Sequence, residues 1–339
     1  MIPSRRHFAV LTAALPFAWG LAGGARALAR RPLVIAAGAG TPDYPETTRG
    51  AYELAIRDGA DFIAARLFPT RDGALVARSD HELSASTDVA THGAFADRRR
   101  TAAVDGPART GWFVEDFSLA ELKTLTCTPA ARRRAQAGMD VGRAILTFEE
   151  LVTIARAGSV RTGRVIGLQA EMPFPAYFAG LDLALEPRLA GVIRVAGYNA
   201  PAAAMMVASA DAEALKTIGE LTRVRRVLRL AAASWDAPSP AGLAALRSRA
   251  EAVAVDAGLI LDLTAPKTLP ATPLVAAAHE AGLGVHAWTG GGFPPAPWRP
   301  ADGRRLLAAL FAAGVDAVSG DLAAPIARAR SDVLPEKQG

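Results

Sequence analysis

Short apolar runs of strand length alternate with longer segments of helical period along most of this 339-residue chain. The alternation is typical of βα units around a parallel sheet, because each strand needs a crossover to return the chain to the same edge. The runs begin near Leu33-Val34-Ile35, Asp61-Phe62-Ile63, Ala74-Leu75-Val76, Val165-Ile166-Gly167-Leu168, Val192-Ile193-Arg194-Val195, Val227-Leu228-Arg229-Leu230, Leu259-Ile260-Leu261, Val285-His286-Ala287-Trp288 and Val315-Asp316-Ala317-Val318. A (β/α)8 barrel has eight strands, so one of these nine runs is in excess. The third run is either a flanking hairpin strand or a barrel strand.

The composition suits a single globular domain. Hydrophobic residues make up 51% of the chain and charged residues 21%, which is enough apolar surface for one sizeable core. Much of the apolar fraction is alanine, and no stretch beyond the N-terminus predicts a transmembrane helix. Cys127 is the single cysteine, which excludes an internal disulfide and Cys-x-x-Cys metal sets, and we expect it to be a buried small hydrophobe.

The N-terminus predicts an export signal over residues 1–29. The basic segment Ser4-Arg5-Arg6-His7-Phe8 precedes an apolar run and then Ala27-Leu28-Ala29, a small-residue cleavage signal. The paired arginines resemble a twin-arginine signal, the alternative being an uncleaved anchor, and they predict a periplasmic or secreted protein. Cleavage removes three arginines and no acidic residue, so the charge falls from +5 to about +2, and no nucleic-acid partner is expected.

Residues 84–142 form a polar stretch that predicts a long insertion after the early strands. Within it, Ser118 stands as an N-cap three residues before Glu121, which predicts a short helix with a capping box. The barrel is expected over residues 30–330, followed by a flexible polar tail over residues 331–339.

Several segments together resemble the glycerophosphodiester phosphodiesterase family, of the phospholipase-C-like phosphodiesterase superfamily. Ile35-Ala36-Ala37-Gly38-Ala39 and then Pro45-Glu46-Thr47-Thr48 match the spacing of that family's His-Arg-Gly and Pro-Glu-Asn-Thr motifs. Further matches in order are Gly59 to Leu67, Pro69 to Asp80, Leu146 to Leu151, Glu171, Ala281 to Trp288 and Ala313 to Asp316. The resemblance therefore covers nearly the whole mature chain.

The resemblance implies a TIM barrel and a phosphoric diester hydrolase. The family releases glycerol 3-phosphate and an alcohol from a glycerophosphodiester, using two histidines and a Ca2+ or Mg2+ ion held by carboxylates. A cation offsets the charge of the phosphodiester, and a positioned acid protonates the leaving alkoxide.

At the positions that carry this chemistry, the sequence departs from the family. The first histidine position is Ala37, its neighbouring arginine is Gly38, and the second histidine position is Ser79. Both proton-transfer groups are therefore missing, and the resemblance predicts a pseudoenzyme that is inactive by the family mechanism.

The metal site is also incomplete in the sequence. Glu46 and Glu171 persist, but the family's Glu-x-Asp pair has become Ala64-x-Arg66, and its lysine has become Pro173. A hard cation needs several oxygen ligands, so no metal cofactor is expected. We predict instead that Arg66 bridges Glu46 and Glu171 through charge-assisted hydrogen bonds.

A small phosphorylated or polyol ligand remains a candidate partner. Arg66, Glu46, Glu171 and Trp288 are the predicted ligand-binding residues, since barrel loops and strand ends build pockets. His81 lies two residues beyond Ser79 and faces the same side of an extended segment, which makes it a weak replacement for the lost histidine.

Three functions follow from these observations. The first is an exported, catalytically impaired family member with a ligand pocket. The second is an active phosphodiesterase with a rearranged site built around His81, Asp80, Glu46 and Glu171. The third is an interaction protein that binds a partner through residues 84–142.

Overall fold

The computed structural model describes residues 31–38, 44–128, 143–230, 240–290 and 302–334. The strands in this part are β1 (Leu33–Ala37), β2 (Phe62–Pro69), β3 (Leu75–Arg78), β4 (Arg100–Ala102), β5 (Arg109–Gly111), β6 (Leu146–Thr147), β7 (Gly167–Glu171), β8 (Met205–Ser209), β9 (Arg225–Leu230), β10 (Ala252–Asp256), β11 (Gly284–Trp288) and β12 (Ala317–Gly320). The helices are α1 (Arg49–Arg57), α2 (Leu119–Leu122), α3 (Phe148–Thr162), α4 (Pro175–Ala179), α5 (Leu185–Val195), α6 (Ala212–Leu221), α7 (Pro240–Leu246), α8 (Ala257–Ile260), α9 (Leu274–Glu280), α10 (Gly303–Ala312) and α11 (Ala323–Val333).

Within these residues, eight parallel strands close into a barrel, as the sequence predicts. The order is β1, β2, β7, β8, β9, β10, β11 and β12, and β12 pairs with β1 to close the sheet. Strand β3 pairs antiparallel with the outer part of β2, and β6 pairs antiparallel with β3. The third apolar run is therefore a flanking hairpin strand outside the barrel.

Two of the nine predicted strand runs are helical instead. Val192–Val195 closes α5, where Leu189, Ala190 and Ile193 form a buried face, and Leu259–Ile260 lies in α8. The β-branched residues in these runs suggested strands. The buried residues lie on one face with helical period, which favours a helix.

Two barrel strands, β8 and β10, do not appear among the predicted runs. Their sequences, Met-Met-Val-Ala-Ser and Ala-Val-Ala-Val-Asp, contain one and two valines but no continuous run of strand-favouring residues. Both are largely buried, so it is tertiary packing that makes them strands.

Large and small apolar side chains together fill the inside of the barrel. A cluster inside it is built from Leu33, Ile35, Phe62, Ala64, Met206, Ala208, Val227, Ala252 and Ala317. A larger cluster packs between the strands and the surrounding helices. Because side chains alternate along a strand, the residues two positions beyond Ala64 and Val227 also face the barrel interior, at its carboxyl end. These residues are Arg66 and Arg229.

A repeated carboxylate contact fixes the amino end of the barrel. The residue just before β2, β10 and β12 is acidic, and in each case it accepts a hydrogen bond from the second backbone N–H of the preceding barrel strand. The contacts are Val34 N to Asp61 at 2.8 Å, Arg226 N to Glu251 at 2.7 Å and Val285 N to Asp316 at 2.7 Å. Of the three, Asp61 also pairs with Arg330, whose side chain is only 4% exposed.

The insertion packs against the barrel over its described residues, up to 128. It contains the β4–β5 hairpin and the helix α2, and Ser118 and Glu121 form the predicted capping box. Arg98 donates to both carboxylate oxygens of Glu121, which ties the segment before the hairpin to that helix. Residues 129–142 of the predicted insertion lie outside the described residues.

Of the two predicted terminal segments, the structure describes only part of the C-terminal one. The export signal, residues 1–29, lies outside the described part of the chain. Helix α11 continues to Val333, three residues past the expected start of the tail, because Arg330 is anchored to Asp61 and to the carbonyl of Pro32 at 2.8 Å. No helix among the described residues is both long and apolar enough to cross a bilayer.

Candidate functional site

A cleft of about 540 Å³ opens at the carboxyl end of the barrel strands. The last residues of β7 and β11, Glu171 and Trp288, lie in its wall, as do Arg66 and Arg229. The remaining wall includes Phe174 to Tyr177 around α4, three aspartates at positions 105, 211 and 256, and residues at the ends of β8 and β10. The cleft thus occupies the edge where barrel proteins place their binding sites.

Two arginines share one carboxylate at the centre of this cleft. Arg66 and Glu171 are register partners on the adjacent strands β2 and β7. Arg66 Nε lies 3.4 Å from Glu171 Oε1, and Arg229 Nη1 donates to the same oxygen at 2.6 Å. The Arg229 guanidinium lies over the Trp288 ring, 4.6 Å from its centroid. Arg66, Arg229 and Glu171 therefore form one ion-paired group with a net positive charge.

The predicted bridge from Arg66 to both glutamates forms on one side only. Glu46 accepts a hydrogen bond from the Ser79 hydroxyl instead. Arg66 Nη1 donates to the Ser79 carbonyl oxygen at 2.7 Å. Ser79 therefore lies between Arg66 and Glu46. Its hydroxyl group supplies the hydrogen bond that Glu46 was predicted to receive from Arg66. Glu46 and Ser79 are not among the residues that line the cleft.

The other substituted family positions bring no reactive group to the site. Ala37 and Ala64 are register partners on β1 and β2, and Gly38 donates its N–H to the Ala64 carbonyl at 3.2 Å. The Tyr52 hydroxyl donates to the same carbonyl at 3.0 Å, and burial raises the pKa of that hydroxyl. This corner of the barrel is therefore held by backbone contacts and a neutral phenol.

The donor set of the site does not suit a divalent cation. Such an ion requires several free oxygen ligands. Here Glu171 is engaged by two guanidinium groups and Glu46 by a hydroxyl, and Ala64 and Arg66, the other two predicted metal positions, offer no oxygen ligand. Among the described residues, no group of three or more histidine, cysteine or acidic side chains is placed to hold a metal. The positive charge at this point of the barrel comes from arginine side chains.

His81 lies behind the cleft wall in an aromatic cage. Its side chain is 1% exposed, and the rings of Phe68, Phe113, Phe174, Tyr177 and Phe178 surround it at centroid distances of 5.0–6.2 Å. Its Nδ1 is 3.4 Å from Glu115 Oε2. His81 is not among the cleft-lining residues, and it does not meet Glu171.

Glu115 links the insertion to the cleft wall. It accepts hydrogen bonds from the Tyr177 hydroxyl at 2.7 Å and from Arg100 at 2.9 Å, while His81 lies on its other side. Burial acts to raise the pKa of Glu115, but His81 and Tyr177 outweigh it and bring the pKa below its ordinary value. The insertion is thus fixed to α4, which forms part of the cleft.

Arg229 is the functional candidate that the sequence did not single out. It lies between Leu228 and Leu230 in β9. A charged residue between two leucines was the sequence signal that could have indicated a functional role. By contrast, His286 is 1% exposed in β11, and burial lowers its pKa to about 4, as expected for a core histidine. Cys127 is buried as predicted, with a polar neighbour, since Arg78 Nη1 donates to its sulfur at 3.0 Å.

Comparison with known proteins agrees with the barrel. Residues 38–321 match the Glycerophosphoryl diester phosphodiesterase family. The chain belongs to this family. The matched residues begin directly after β1 and include β2 to β12, and thus seven of the eight barrel strands.

Two curated members of the family match parts of the chain. Glycerophosphodiester phosphodiesterase GDPD6 of Arabidopsis thaliana is 39% identical over 147 residues, which is 43% of this chain and 38% of that protein. The glycerophosphodiester phosphodiesterase of Treponema pallidum is 27% identical over 206 residues, 58% of this chain and 54% of that protein. The aligned segments therefore span about half the relatives' length or less.

Solved structures of the family share the fold. A phosphodiesterase of Oleispira antarctica, in complex with the product sn-glycerol-3-phosphate, superposes with a TM-score of 0.61 at 20% identity, covering 88% of this chain and 96% of that one. The glycerophosphodiester phosphodiesterase of Agrobacterium tumefaciens gives 0.58 at 17% identity, covering 88% and 99%. At such identities the likeness concerns the fold alone.

Proposed function

We propose that this chain is an exported member of the family that binds a small phosphorylated or polyol ligand without hydrolysing it. The observation that carries the proposal is the capture of Glu171 by Arg66 and Arg229. A fixed guanidinium supplies positive charge and directed hydrogen bonds, but it does not supply the Lewis acidity of a metal ion.

The proton-transfer side of the reaction is equally weakened. A general acid or base must come within hydrogen-bond reach of the reacting group. Ala37 carries no such group, Ser79 is a weak acid whose hydroxyl donates to Glu46, and His81 lies behind the cleft wall. Binding survives these losses more readily than catalysis does, because the cleft and its charged groups persist.

The ligand class follows from the family and from the cleft. The Oleispira relative carries sn-glycerol-3-phosphate, which joins a phosphate to a polyol. In this chain, arginines at the base of the cleft suit a phosphate, and carboxylates and Trp288 suit hydroxyl groups and an apolar face. The export signal predicted over residues 1–29 supports a location in the periplasm or outside the cell.

The two other functions receive less support. An active hydrolase built on His81 requires the ring to leave its aromatic cage and reach the cleft. An interaction protein that acts through residues 84–142 requires a free surface there, whereas the described part of the insertion is tied to α4 through the hydrogen bonds of Glu115 and Arg100 with Tyr177.

An assay of turnover tests the proposal. Purified protein is incubated with glycerophosphocholine, with and without Ca2+ or Mg2+, and glycerol 3-phosphate is measured. We expect no release above the protein-free blank under any of these conditions. Metal-dependent release that His81→Gln abolishes, while the matched His92→Gln variant keeps it, contradicts the proposal and favours the rearranged hydrolase.

A further inference from the structure

We propose that Arg66 and Arg229 form an anion site in which Glu171 is the internal occupant, displaced when the phosphate group of a ligand binds. The inference rests on the proposed ligand-binding role and adds to it a second arginine, a competing carboxylate and independence from metal.

Both guanidinium groups are held in place from behind. Arg229 lies over Trp288, and Arg66 lies 5.6 Å from the Phe68 centroid and 5.5 Å from that of Phe174. Stacking of this kind orients the planar fork and lowers the entropy lost when an anion binds. The site is therefore arranged before a ligand arrives.

Glu171 satisfies the two arginines incompletely. Both contacts described above use Oε1 of the carboxylate, and the buried Nε of Arg66 has no hydrogen-bond partner among the described residues. A guanidinium offers five N–H donors in a fixed fork. A phosphate offers three or more acceptor oxygens to the two forks, whereas the Glu171 carboxylate offers two and contacts both arginines through one of them.

The surrounding charges restrict the ligand. Two arginines and one glutamate leave one positive charge in the group, while Asp105, Asp211 and Asp256 line the same cleft. A second phosphate would meet these carboxylates and be repelled, whereas hydroxyl groups can donate hydrogen bonds to them. The site accordingly takes a monophosphate ester of a polyol and disfavours a diphosphate.

This arrangement reverses the expected effect of changing Glu171. Where a glutamate holds a metal that binds the ligand, its loss weakens ligand binding. Where it competes with the ligand for two arginines, its neutralisation strengthens binding, because an anion no longer has to displace a charged group.

Calorimetric titration of the full chain in EDTA, with glycerol 3-phosphate as the probe and pyrophosphate as a comparison, tests the inference. We expect binding without metal, weaker by at least about tenfold in Arg229→Gln and tighter by about tenfold in Glu171→Gln. Pyrophosphate should bind more weakly than glycerol 3-phosphate. Arg226→Gln is the matched control, since Arg226 lies on the same strand and pairs with Glu251 at the other end of the barrel, and it should leave the affinity unchanged.

Three results overturn the inference: weaker binding in folded Glu171→Gln, unchanged binding in Arg229→Gln, or binding that appears only when Ca2+ or Mg2+ is added. Thermal unfolding of each variant shows that it is folded. Absence of binding in the natural protein also overturns it and removes the phosphate-binding part of the proposed function as well, whereas the three results above overturn the inference alone.

Discussion

Asp61→Ala should lower the free energy of unfolding by about 3–5 kcal/mol, the range found when one partner of a buried ion pair is removed. Asp61 is the common partner of Arg330, Arg164 and the Val34 N–H. Its loss leaves the Arg330 guanidinium in a site that is 4% exposed, with the Pro32 carbonyl as the remaining described contact. Urea unfolding of the purified variant measures the effect.

Asp316→Ala is the matched comparison, because Asp316 holds the equivalent place before β12. It also accepts a backbone N–H, but its side-chain partner, His279, is 38% exposed. We expect a loss of about 1–2 kcal/mol, the usual cost of a hydrogen bond whose remaining partner water can reach in part. Equal losses in the two variants would show that the burial of Arg330 does not set the effect.

Restoring the family residues should create activity in this barrel. Four changes, Ala37→His, Ala64→Glu, Arg66→Asp and Ser79→His, introduce the residues that the resemblance implies and return two proton-transfer groups. A fifth, Arg229→Leu, removes the second arginine that pairs with Glu171. General acid–base groups commonly contribute about 10²–10⁴-fold, so we expect metal-dependent release of glycerol 3-phosphate at least about 100-fold above the natural protein. The coupled assay with glycerophosphocholine measures it.

The variant that keeps Arg229 and carries the other four changes is the control. Arg229 still donates to Glu171 in this control, so we expect weaker metal binding and lower turnover than in the variant with all five changes. If the variant with all five changes folds and binds Ca2+ but remains inactive, activity requires further residues that this barrel lacks.

Much of the fold could be predicted from the alternation of apolar runs, because that pattern reflects burial directly. The errors arose where burial and propensity disagree. Strands β8 and β10 contain only one and two valines among methionine, alanine, serine and aspartate, so local preference marks them weakly as strand, and the end of α5 is rich in β-branched residues. In both cases packing around the closed barrel decides the conformation.

The candidate site was predictable where it follows the motif spacing. The positions of Ala37, Glu46, Arg66 and Glu171 could be placed in this way, and the contact of Arg66 with Glu171 follows from their places at the ends of adjacent strands. Arg229 could not be placed near Glu171 in the same way. The strands that carry these two residues, β9 and β7, are separated by β8, and β8 is missing from the predicted strands.

A crystal structure of the purified protein grown with Mn2+, with anomalous data collected, tests the central claim most directly. The account predicts no manganese peak near Glu46 and Glu171, and Arg66 and Arg229 both in contact with Glu171. A manganese ion held by Glu46 and Glu171, with Arg66 turned away, would contradict it.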